Sequence, residues 1–119
     1  MNYEEFNKLA LRTESPNFHQ PDPRILHAAI GCVTESGEML DALKKQMYYG
    51  RELDLTNVKE EAGDILWYLA ILFDTVGTDF GTEMQRVINK LKTRFPEKFE
   101  DDLAHNRDLE AERKVLEDT

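Results

Sequence analysis

Apolar positions recur at three- and four-residue steps through nearly every informative stretch of the chain, the spacing of amphipathic helices. Tyr3, Phe6, Leu9 and Ala10 predict a short N-terminal helix. It ends near Ser15-Pro16, because a residue before proline is pushed out of the helical region. Residues 15–23 hold Pro16, Pro21 and Pro23 and read as an extended connector. A long helix then runs from Pro23 or Arg24 to Tyr48 or Tyr49, with Gly50 as its stop. Asp54 or Thr56 caps the next helix, Asn57 to Val76, which stops at Gly77. Phe80, Met84, Val87, Ile88 and Leu91 mark a further helix from Asp79 to Phe95, ended by Pro96. The tail from Arg107 to Glu117 is mostly charged, with leucines only at Leu109 and Leu116, and predicts a helix laid on a neighbour. No segment alternates long enough to make a strand. The pattern predicts an all-α helical bundle in one domain.

At 119 residues the chain has room for one buried core, not two. A net charge of −9 argues against sequence-independent binding to nucleic acid or an anionic membrane, both of which need basic patches. The longest apolar run, Ile65 to Phe73, falls far short of the roughly 20 residues of a membrane span. The acidic start Met1-Asn2-Tyr3-Glu4-Glu5 lacks an apolar signal core, so the expected location is the cytoplasm. A lone Cys32 forms no internal disulfide and offers no thiolate cluster, which leaves oxygen or imidazole ligands for any metal.

Two predicted helices each carry an acidic pair three residues apart, Glu35-Ser36-Gly37-Glu38 and Glu61-Ala62-Gly63-Asp64. Residues at that spacing share a helix face, so each pair points one way. Such pairs commonly sit on solvated faces; here the company they keep is unusual. On a helical wheel Leu26, Ile30, Val33, Leu40 and Met47 form the expected core stripe of the long helix. Glu35 and Glu38 lie opposite, yet share their side with Ala28, Gly31, Met39 and Ala42. A helix that is small or apolar on both sides is packed on both sides. In the following helix Val58, Ala62, Ile65, Leu69, Phe73 and Val76 form the expected core stripe, with Glu61 and Asp64 off it, beside Trp67, Tyr68 and Ile71. Two carboxylates about 4 Å apart repel by roughly 4 kcal/mol at an effective dielectric near 20. Four enclosed ones cannot all stay ionised without a cation. Oxygen-only ligation selects a hard divalent ion, Mg²⁺ or Mn²⁺, and Mg²⁺ shares its shell readily with phosphates. Lys90 and Arg94, one turn apart, are the matching cations for a phosphate-bearing substrate. His27, one turn before Gly31, falls near the same face and is read as structural.

The order Glu35-x-x-Glu38, 22 intervening residues, then Glu61-x-x-Asp64 resembles the MazG-like nucleotide pyrophosphohydrolases, all-α enzymes related to the dimeric dUTPases. The context Thr34-Glu35-Ser36-Gly37-Glu38-Met39, the run Glu60 to Leu69 with its Trp67-Tyr68, and the block Lys90-Leu91-Lys92-Thr93-Arg94-Phe95-Pro96 extend the likeness over residues 25–96. The resemblance implies a single MazG-like domain over 1–119, with the N-terminal helix and the tail flanking that core. It further implies Mg²⁺ held by Glu35, Glu38, Glu61 and Asp64, with water attacking the α-phosphate of a nucleoside triphosphate to give the monophosphate and pyrophosphate. Glu35 would orient or deprotonate that water, Lys90 and Arg94 would hold phosphate oxygens, Tyr68 would bond a phosphate or ligand carboxylate, and Trp67 would offer a stacking face. The family is commonly dimeric or tetrameric, so the bundle is expected to be completed or extended in a homodimer or homotetramer.

Two other readings compete. A non-catalytic helical interaction module would turn the acidic groups to solvent and ignore magnesium. A di-iron carboxylate bundle would need two Glu-x-x-His pairs, and the sequence contains none.

Overall fold

The computed structural model describes residues 1–119. Six helices and no strand are present: α1 (Tyr3–Leu11), α2 (Pro23–Tyr49), α3 (Leu55–Val76), α4 (Phe80–Arg94), α5 (Asp101–His105) and α6 (Leu109–Asp118). The all-α expectation holds. Short polar side chains set the starts. The Asn2 side chain and Glu5 form a reciprocal capping box on α1, and Asp22 accepts from the amides of Arg24 and Ile25 ahead of α2, with Pro23 in the first turn. Asp54, Asp79 and Asp108 cap α3, α4 and α6 in the same way. Each such cap stabilises its helix by about 1 kcal/mol. Gly50 and Gly77 end α2 and α3 with φ of 63° and 76°, a left-handed turn that a β-carbon would strain.

Two pairs of helices pack along their lengths, α2 with α3 and α4 with α6; no other pair does. The α2–α3 pair is an antiparallel hairpin. An ion pair of 2.7 Å joins Arg24 at the start of α2 to Asp74 near the end of α3. The α4–α6 pair is tied by Arg94 to Glu112 and by Arg86, which donates to the Leu116 carbonyl. Between the pairs stand the turn at Gly77 and an edge-to-face contact of Phe73 with Phe80, 4.9 Å between centroids. The result is an extended molecule. Its radius of gyration is 20.1 Å, against about 13.5 Å for a close-packed domain of this length. Its accessible surface is 9858 Å², against about 6,700 Å² for a compact monomer of this mass.

The wheel reading of α2 is inverted. The expected core stripe of Leu26, Ile30, Val33, Leu40 and Met47 is exposed, Val33 at 72% and Met47 at 73%. The face set against α3 is the small one: Ala28 and Gly31 are buried, and Cys32, Glu35, Met39 and Ala42 are half-buried. The cause is the closeness of the helices. A β-carbon on Gly31 would overlap the Tyr68 ring, so the seam admits small side chains and sends the bulky ones outward. On α3, Val58, Ile65, Leu69 and Phe73 are half-buried as expected, but Ala62 and Val76 are exposed, and Glu61 is the residue most enclosed. No helix is long and apolar enough to cross a membrane.

This seam makes a specific expectation. Gly31→Ala forces the Tyr68 ring away and lowers stability by roughly 1–3 kcal/mol, the usual range for overpacking. Gly37→Ala, whose new methyl group meets nothing within 4 Å, stabilises by about 0.5–1 kcal/mol through helix propensity. Urea denaturation of both variants checks the pair; equal effects would contradict the close approach.

Candidate metal and phosphate site

α2 and α3 bring three of the four predicted acids together. One carboxylate oxygen from each of Glu35, Glu38 and Glu61 lies within 4.8 Å of the other two. The hairpin explains why. Glu35 stands one turn beyond Gly31 on the small face of α2, and Glu61 stands two turns before Tyr68 on α3, so the contact that seats Tyr68 against Gly31 also sets the register of the acids. Glu61 is only 4% exposed, Glu35 is half-buried and Glu38 open. Asp64, the fourth predicted acid, is exposed and outside the cluster. It shares the Glu61 face one turn further along α3, with one methylene fewer in its side chain.

The electrostatics of the cluster are unfavourable without a cation. A hydrogen bond shared with Glu35, then burial, then the neighbouring Glu38 push the Glu61 carboxyl up to about 7. Its Oε2 is buried with no hydrogen-bond partner, a condition native interiors rarely tolerate. A divalent ion is the group this donor set fits: it would give the orphaned oxygen a partner and quench the repulsion. Glu35, Glu38 and Glu61 would hold it. Glu38 also lines a polar cavity of about 370 Å³, in the usual range for small-ligand sites, whose walls include Asp41, Lys45, Arg51, Glu52 and Asp54.

Trp67 and Tyr68 lie on the same hairpin as the acids. Their rings meet edge to face at 5.0 Å, and His27 packs edge-on against both, 6.4 Å from Trp67 and 5.5 Å from Tyr68. Trp67 is exposed, Tyr68 half-buried. The hairpin that carries the carboxylates thus also carries an aromatic cluster, and His27 belongs to it through ring packing.

The predicted phosphate cations are placed elsewhere. Lys90 and Arg94 sit on α4, which does not pack along α2 or α3. Arg94 is committed: its Nε and Nη2 donate to the two oxygens of Glu112 at 2.7 and 3.0 Å. Arg107 reaches the same carboxylate at 2.5 and 3.3 Å. Glu112 is 3% exposed, and the hydrogen bonds from Arg94 and then Arg107 hold its carboxyl down at about 2. Lys90 is half-buried and makes no ion pair. The Glu112 clamp escaped the sequence reading because its partners lie on separate helices; Asp108, a capping residue ahead of a charged helix, was the available signal.

Residues 27–99 match the MazG nucleotide pyrophosphohydrolase domain, and the chain belongs to that family. Its members are in general nucleotide pyrophosphohydrolases, hydrolases that use a divalent metal. No curated protein and no solved structure matches the chain.

The clamp gives a pH expectation. Because the Glu112 carboxyl is depressed in the folded chain, its stabilisation is complete above the unfolded value of 4.5 and is lost as pH falls towards about 2. Amide exchange in α6 should therefore accelerate across that window before α2 and α3 respond. Glu112→Gln should show the fast exchange already at neutral pH. Unchanged α6 protection in that variant would contradict the clamp.

Proposed function

We propose that this chain is a Mg²⁺-dependent nucleoside triphosphate pyrophosphohydrolase, cleaving an NTP or dNTP with water to the monophosphate and pyrophosphate. The observation that carries the reading is the crowded carboxylate trio with its buried, unpartnered Glu61 oxygen, in a chain of the MazG family. Glu38, Glu61 and Asp64 hold the metal together with Glu35; Mn²⁺ satisfies the same hard-oxygen preference. When bound, the ion supplies Lewis-acid neutralisation of phosphate oxygens as charge builds on the leaving pyrophosphate. Glu35, nearest the aromatic end of the seam, orients the attacking water and takes up its proton. Tyr68 bonds an oxygen of the substrate, and Trp67 presents a stacking face to the base. With the Arg94 charge met by Glu112, phosphate holding falls to Lys90. The open α2 and α4 faces, and a surface well above that of a compact monomer, support a homodimer or homotetramer, and the location proposed for it is the cytoplasm.

A panel of natural and modified triphosphates with Mg²⁺, scored for pyrophosphate against phosphate, tests the activity and begins to define the base. Pyrophosphate is the expected product. Glu38→Gln and Asp64→Asn should each reduce turnover by about 10²-fold or more with helicity intact. Pyrophosphate release retained in both variants would end the assignment. Mg²⁺ at a hundredfold over Kd should raise unfolding free energy by about 2.7 kcal/mol, an increase that Glu61→Gln should abolish. Light scattering at working concentration should give a mass of two or four chains.

A further inference from the structure

Resting on that reading, we infer that the polar cavity at the turn between α2 and α3 receives the terminal phosphates of the substrate, with Arg51 as their principal cation and Lys45 beside it. The chain is thereby matched to triphosphates rather than diphosphates. The hairpin carries three groups of side chains in one line. His27, Trp67 and Tyr68 make the aromatic cluster at one end. Glu35, Glu38 and Glu61 come next, with Glu61 two turns from Tyr68. Lys45 stands two turns beyond Glu38 on α2, about 10 Å further along the helix axis. Glu38 belongs both to the acid cluster and to the cavity wall, so the two are continuous. A nucleotide with its base at the aromatic end and its reacting phosphate at the acids directs the rest of its phosphate chain into the cavity.

The chemistry of the cavity suits that tail. Ala42 is its only apolar wall residue, so a base finds no face to pack on there, whereas charged oxygens find polar partners throughout. The end of α2 fixes Arg51 in place. The amides of Gly50 and Arg51 both donate to the Lys45 carbonyl at the left-handed turn, which sets the arginine on the wall with its guanidinium free of any ion pair or hydrogen bond. Three wall acids are engaged already. Asp41 pairs with Lys45 at 2.9 Å, Asp54 accepts from the Asn57 amide as the cap of α3, and Glu38 stands in the acid trio. A guanidinium takes phosphate oxygens through paired donors, and Lys45 adds a point charge. The wall carboxylates have a use of their own. Cleavage adds a negative charge to the leaving pyrophosphate, which Asp41 and Glu52 repel, so the product is released.

Calorimetric titration with magnesium pyrophosphate tests the cavity without turnover. The wild type should bind it, and Arg51→Met, which keeps the alkyl stem, should weaken binding about tenfold or more. Arg51→Lys should recover part of that loss. Lys44→Met removes a neighbouring cation that is not on the cavity wall and should change little. No binding by the wild type, or equal losses in Arg51→Met and Lys44→Met, overturns the proposal.

Kinetics supply the second measurement. In Arg51→Met the KM for a nucleoside triphosphate should rise by a similar factor with kcat nearly unchanged, the mark of lost uniform binding. The corresponding diphosphate, which ends short of the arginine, should lose less; equal losses for both overturn the match to triphosphates. If the wild type hydrolyses no triphosphate, the proposed activity fails while the pyrophosphate titration still decides whether the cavity holds phosphates.

Discussion

The close approach of α2 to α3 governs the rest of this structure. Where Gly31 receives the ring of Tyr68, two helices run near enough to set Glu35, Glu38 and Glu61 within 4.8 Å of one another. Carboxylates in water avoid such company, and here the backbone enforces it. The helix caps, the left-handed glycine turn and the exposed ion pair of Arg24 with Asp74 hold a hairpin whose main product is electrostatic strain. The strain is concentrated on Glu61, buried with one oxygen lacking a partner. On the proposed reading a divalent cation would relieve this crowding, so its binding would stabilise the fold as well as serve the chemistry.

A second organising contact lies at the other end of the chain. Glu112 draws Arg94 and Arg107 onto a single buried carboxylate and so fastens α6 to α4. Fork-shaped pairing of this sort is directional as well as strong. It converts a charged C-terminal segment, poor in apolar side chains, into a docked helix. It also redefines Arg94, whose place one turn from Lys90 would otherwise suit it to an oligophosphate.

Much of this was legible in the sequence. Proline and glycine punctuation marked the limits of α2 and the ends of α3 and α4 to within a residue or two, because those residues act through their own backbones. The acidic pairs were legible for a similar reason: helical spacing alone puts Glu35 with Glu38 on one face. What misled was counting hydrophobicity around α2. The rule that the apolar stripe faces the core assumes the neighbour belongs to the same chain and stands at ordinary distance. Ala28 and Gly31 show instead that the tightest contact was made through the smallest side chains, and Ile30 and Val33 were turned outward. Asp64 was grouped with the other acids by spacing, and the one-methylene difference between aspartate and glutamate is invisible to a wheel. α5 was too short to register, and the partners of Glu112 could not be read from neighbours in sequence.

Position 61 carries a conflict between robustness and reactivity. A methionine or leucine there would fill the same space, remove the crowding and leave a sturdier hairpin with a weaker grip on any cation. On the proposed reading, the side chain that weakens the scaffold is the one the chemistry calls for, so selection of this chain for thermal endurance alone would work against its site.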